Sequence, residues 1–169
     1  MKFLSYTTLL FLALLLNGCG YQVGSLMHPQ VKTIAVAPVV NETAAYNVAA
    51  EMRGLLCECF MTDGSLKLVD EKEADCIVYA RVLDIAFAEL NRSSVDDDEF
   101  VPNEWRVQMN VEFSVIVPGS ARPLISTRTV SGTAEFQTGP DMYIGRRNGI
   151  RQAAYDAAKK LVSAVTEGW

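Results

Sequence analysis

The sequence predicts an α+β fold: a two-layer sandwich with two helices packed on one face of a mixed, mostly antiparallel sheet. Three observations predict it. In "EWRVQMNVEFSVIV", Trp105, Val107, Met109, Val111, Phe113, Val115 and Val117 fall on one face, and Arg106, Gln108, Asn110, Glu112 and Ser114 on the other. That strict period of two marks a half-buried strand. Two apolar stripes have helical spacing: Val48, Met52, Leu55, Leu56, Cys59 and Phe60, then Ile150, Ala154, Ala157, Leu161 and Val165. The principal elements run β-α-β-β-β-α, and strands grouped between helices place the helices on one side of a sheet.

Residues 1–18 read as a lipoprotein signal peptide. Leu9 to Leu16 is an unbroken apolar run of eight residues, far short of the roughly 20 that span a bilayer. It suits the core of a secretory signal, with the small residue Gly18 before the cut. Leu16-Asn17-Gly18-Cys19 resembles the bacterial lipobox, which implies a diacylglycerol on the Cys19 thiol and an acyl chain on the new amino terminus. No other cofactor is expected. The alternative is a plain cleaved signal that leaves Cys19 free. Each buried methylene adds about 0.8 kcal/mol of membrane attachment, so two or three chains anchor firmly. Gly20, rather than an acidic residue, favours the outer membrane by analogy with known sorting. Residues 19–30 read as a lipidated tether and residues 31–169 as a single α+β domain.

Within that domain, "VKTIAVAPV" (Val31–Val39) is β-branched and apolar and predicts a buried strand. "NET" breaks the pattern, and the helix from Ala45 to Met61 follows, stopped by the glycine of "TDG". "SLKLVD" is a short strand. Ala74–Leu90 is a long strand whose alternation is imperfect, so both faces are partly apolar. "NRSSVDDDEF" is a polar loop, or hairpin tip, with an acidic core. After the strand ending at Val117, "PGSARP" (Pro118–Pro123) is a turn. "LISTRTVSGTAEF" is the last strand, in which Gly132 marks a bulge or a close approach. The final helix runs from about Pro140 towards Trp169.

The chain carries 15 basic and 20 acidic residues. Lys2 lies in the signal, which leaves 14 basic against 20 acidic, a net of −6. Such a surface does not coat itself on nucleic acid by bulk charge. Besides Cys19 there are Cys57, Cys59 and Cys76. Either one of the helical pair bonds Cys76, or all three are small buried hydrophobes. No cysteine or histidine spacing suits a metal, and the single histidine, His28, takes no role.

No catalytic constellation is visible: no histidine beside a nucleophile, no Gly-x-Ser-x-Gly, no phosphate loop. Asp96, Asp97, Asp98 and Glu99 lack the glycine and distal glutamate of a calcium loop. A binding protein is therefore expected, not an enzyme. Its candidate surfaces are two. Arg106, Gln108, Asn110 and Glu112 form a polar sheet face that a partner would meet. Arg146 and Arg147 open the last helix against its dipole, and paired arginines suit phosphates.

"GCGYQVGS", "KTIAVAPVVNET", "LKLVDEKEADCIVYARVLD" and "EWRVQMNVEFSVIV" occur in that order over nearly the whole mature chain. This resembles the LptE-type lipopolysaccharide-assembly lipoproteins. The resemblance implies a non-enzymatic lipoprotein on the periplasmic face of the outer membrane. Its partner would be the large β-barrel that inserts lipopolysaccharide, with lipopolysaccharide itself a further ligand. The "IAVAPVVNET" strand and the Ala74-Asp75 strand opening also resemble lipoproteins that activate cell-wall synthases. Those cross the periplasm on long linkers, whereas the tether from Gly20 to Gln30 reaches under about 40 Å. That length favours a partner at the protein's own membrane.

Overall fold

The computed structural model describes residues 31–96, 99–137 and 141–167, with side chains described outside 91–103. Cys19, the tether and the acidic side chains from Asp96 to Glu99 therefore lie outside the described residues. The chain forms the expected α+β sandwich, with a mixed sheet of six strands and two helices among the described residues.

β1 (Thr33–Val36) is shorter than its apolar run because Pro38 interrupts it. Ala37 N still donates to the Val78 carbonyl at 3.0 Å. Pro38 has no N–H to continue the ladder. Pairing resumes one residue out of step as β2 (Val40–Asn41), both pieces lying parallel to the same long strand. The "NET" segment is then a pair of side-chain turns. Asn41 Oδ1 accepts from the Thr43 amide, Thr43 Oγ1 accepts from the Ala45 amide, and Asn41 Nδ2 donates to the Ala45 carbonyl. These turns occupy the backbone up to Asn47, which is left-handed at φ 62°. α1 (Val48–Asp63) thus begins at the first residue of its stripe, three residues later than the expected start at Ala45. Gly64, at φ 69°, closes it with its amide on the Phe60 carbonyl.

β3 (Lys67–Leu68) pairs with β1. β4 (Cys76–Asp96) and β5 (Glu99–Ile116) form a long antiparallel hairpin. The segment read as a loop at "NRSSVDDDEF" is thus largely strand, with Asn91 paired to Glu104 and Ser94 to Phe100. Val117 to Ser120 turns the chain: Pro118 lies second, Gly119 third at φ 80°, and Ser120 N reaches the Val117 carbonyl at 3.0 Å. That is the signature of a type II turn. β6 (Ile125–Gln137) follows, then α2 (Met142–Thr166). The strand order is β3-β1-β4-β5-β6.

The imperfect alternation of β4 has a specific cause. Cys76, Val78, Ala80 and Val82 point inward, and so do Ile85 and Phe87 on the opposite parity. A bulge between Val82 and Asp84 takes up the extra residue, Leu83. Each half alternates cleanly; the bulge changes the phase. Inward residues of β4 and β5 meet Met52, Leu56 and Phe60 of α1 and Leu161 and Val165 of α2 in one core. Each such fully buried side chain contributes about 1.5–3 kcal/mol.

α2 lies close on β6. A Cβ on Gly132 would stand 2.0 Å from the Ala153 carbonyl oxygen and 2.4 Å from the Ala157 amide. The glycine thus marks the close approach. Asp156 and Lys160 of α2 also bind the outer edge of β6: Asp156 accepts from the Thr133 amide at 2.9 Å, and Lys160 Nζ donates to the Ser131 carbonyl at 2.9 Å. Polar groups on the edge of a sheet invite another strand, and here helix side chains take two of them.

Candidate functional sites: an uncovered sheet face and a groove between the helices

The four residues predicted on β5 do share the sheet face turned away from the helices. The structure surrounds them with partners that the sequence did not single out. Arg106 is paired with Glu135 on β6 at 2.6 Å. Asn110 Nδ2 donates to Asp84 on β4 at 2.8 Å, while Asn110 Oδ1 accepts from Gln108 at 3.3 Å and from Ser131. Glu112 binds Arg81 of β4, whose other nitrogen holds Glu42 at 3.0 Å. The hydrogen bond that Arg81 donates to Glu112, then the one it donates to Glu42, raises the Arg81 pKa further. The result is a cross-strand lattice of charges and amides. Arg106 and Glu135 are each 49% exposed, so the pair contributes little stability in water.

Arg81, Asp84 and Glu135 were missed for two reasons. The bulge at Leu83 conceals which face Asp84 takes, and cross-strand partners follow from register rather than from spacing along one strand.

Arg146 and Arg147 lie on α2 at one end of a groove of about 910 Å3 between the helices. Its walls are Asn47, just before α1, and Glu51 and Glu58 of α1, facing Tyr143, Arg147 and Arg151 of α2, and it continues past Glu58 to Gln152 and Tyr155. The two arginines differ. The Arg146 guanidinium sits 4.3 Å over the ring of Phe87, which meets Phe136 edge-on at 6.4 Å. Arg147 is exposed and has no hydrogen-bond or ion-pair partner among the described residues. Arg151 reaches Glu51 at 3.6 Å. The adverse charge at this helix start is offset locally, because the Asp141 carboxylate caps the amides of Tyr143 and Ile144 at 2.9 and 3.2 Å.

The cysteines among the described residues are free: Cys59 and Cys76 are buried and Cys57 is half-buried. The disulfide alternative to Cys76 is thus not formed. Burial, with a smaller contribution from Asp75, pushes the Cys76 thiol up to about 11, and burial likewise raises Cys59. Buried, protonated thiols are poor nucleophiles. Among the described residues, no cluster of histidine, cysteine and carboxylate side chains is placed to hold a metal ion. No helix among them is long and apolar enough to cross a membrane.

This fold is one that bacterial lipoproteins use. The chain is similar to a minor lipoprotein from Acinetobacter baumannii, with TM-score 0.52 and 13% identity over 80% of this chain and 93% of that one. It is similar to PelC, solved as a dodecamer from Paraburkholderia phytofirmans, with TM-score 0.54 and 13% identity over 85% and 95% of the two chains. A Xanthomonas campestris protein of the DUF330 family gives TM-score 0.53 and 10% identity over 81% and 87%. At these identities the likeness is one of fold. No family model and no curated protein matches the sequence.

Proposed function

We propose that the chain is a non-enzymatic lipoprotein, anchored through Cys19 to the periplasmic face of the outer membrane, that supports the β-barrel lipopolysaccharide translocon. The observation that carries this reading is the uncovered sheet face. Of its residues, Arg106 is paired with Glu135 and Glu112 with Arg81, while the Asn110 amide donates to Asp84. Such a surface enters a confined polar space with its arginines already paired, which lowers the desolvation cost relative to bare cations. The lumen of a large outer-membrane barrel is such a space. The lipid on Cys19 supplies proximity, raising the effective concentration of the domain near a membrane partner.

Direct contact with lipopolysaccharide phosphates has weaker support. Arg146 is engaged on Phe87, so the two arginines do not stand as a free pair. The reading therefore rests on the barrel.

The test replaces Gln108 and Asn110 in turn with a photocrosslinking residue in the full-length protein and irradiates native membranes. The expected product is one large adduct containing the lipopolysaccharide-translocon barrel, formed from both positions and absent when the crosslinker replaces Lys72 at a distant turn. Adducts with a cell-wall synthase would overturn the proposal in favour of the activator reading, which the short tether disfavours. Finding no barrel adduct would overturn it as well.

A further inference from the structure

We infer that the groove between α1 and α2 is a self-association surface, and that its occupant is a second copy of this chain. The groove lies on the helix layer, opposite the sheet face assigned above, so this inference goes beyond the proposed function.

Gly54 is the first observation. It stands in the interior of α1, and a Cβ there would meet nothing within 4 Å. Gly132 and Gly149, by contrast, are forced by neighbouring atoms at 2.0 and 2.6 Å. Nothing inside the domain needs a glycine at position 54, and glycine there weakens the helix. Its effect is a hollow in the groove floor. The second observation is a pair of rings at the groove mouth: Tyr46 is 97% exposed and Tyr143 is 75% exposed. Tyrosine presents a large, rigid, amphipathic surface and is enriched in protein interfaces. One copy therefore offers both protruding rings and a hollow to receive them.

Charge selects the occupant. The α1 wall carries Glu58 and the α2 wall carries Arg147, neither with a side-chain ion-pair partner among the described residues. The complement of this groove is a surface with a cation opposite Glu58 and an anion opposite Arg147. This chain's own helices present that pattern. A two-fold axis through the groove turns Arg147 of one copy towards Glu58 of the other, and the reverse, as an isologous interface requires. Four tyrosines in the pair, at roughly 150–250 Å2 each, supply a large part of the about 1,200 Å2 of a specific interface.

The experiment co-expresses two full-length copies with different tags, solubilises membranes in mild detergent and purifies through one tag. Wild-type copies are expected to co-purify. Glu58→Arg in both copies, or Arg147→Glu in both, opposes like charges twice and is expected to lower recovery about tenfold. One copy of each variant restores both pairs and is expected to restore recovery. Failure of wild-type copies to co-purify, as expected if an amphiphile or another protein fills the groove, would overturn the inference. So would reversals without effect, or a mixed pair that does not recover although circular dichroism shows both variants folded. Should a reversal variant not fold, Tyr143→Ala, at an exposed ring, replaces it; unchanged recovery with that variant overturns the inference.

Discussion

Two glycines read alike in the sequence and act oppositely. Gly132 leaves no room for a Cβ, because the Ala153 carbonyl and the Ala157 amide occupy that space and both are backbone. Gly132→Ala must push β6 from α2, and overpacking of this kind costs about 1–3 kcal/mol. Gly54→Ala places its methyl in open space and raises helix propensity by about 0.5–1 kcal/mol. Urea unfolding of the two variants should therefore shift in opposite directions. The thiols give a second prediction. With its pKa near 11, Cys76 is ionised in about one molecule in a thousand at pH 8. A thiol reagent should modify Cys57 first and reach Cys59 and Cys76 only on unfolding. Rapid native labelling of all three would contradict their burial.

At the scale of elements, the joint between β1 and β4 carries a pH signature. The Asp75 carboxylate accepts from the Lys32 and Thr33 amides at 2.9 Å, and Thr33 Oγ1 accepts in return from the Asp75 amide at 2.8 Å. These bonds, the Lys32 amide foremost, hold the Asp75 pKa below the usual carboxylate range. A depressed folded pKa contributes stability that is present above the unfolded value, about 3.9. That stability is lost as pH falls through the folded value. Asp156 behaves the same way: burial raises its pKa, but hydrogen bonds from Lys160 and the Thr133 amide together outweigh it and lower the value. Asp75→Asn keeps an acceptor but cannot titrate. Its stability should fall less steeply than that of the wild type below about pH 4, read from thermal midpoints across an acid series. Parallel profiles would show that the clamp does not titrate.

For the whole molecule, the decisive group is the thiol of Cys19. Cys19→Ser removes the atom that would carry diacylglycerol, and with it about 0.8 kcal/mol of attachment for every buried methylene. The variant should move from the membrane pellet to the soluble fraction of cell lysates while keeping its circular dichroism. A variant that stays in the pellet would point to anchoring by something other than lipid. Such an anchor would confine the protein to a plane, in which both proposed contacts would act: one through the sheet face and one through the helix layer.

The sequence by itself determined the principal elements and, where the periodicity is unbroken, which face of each is buried. Period two at Trp105–Val117 and helical spacing at Val48–Phe60 are properties of local backbone geometry, and burial follows one face. It also showed that Arg106, Gln108, Asn110 and Glu112 share a surface. Other features needed three dimensions. Pro38 and Leu83 change strand phase by one residue, which periodicity registers only as blurred alternation. The partners of the polar face come from β4, β6 and the residue just after β2, up to 39 residues from Arg81 at Glu42, and only strand register brings them together. Arg146 and Arg147 are adjacent in sequence, yet the path of α2 sets one over Phe87 and leaves the other at the groove. Spacing along a chain encodes the face of an element; what that face meets is decided by how the elements pack.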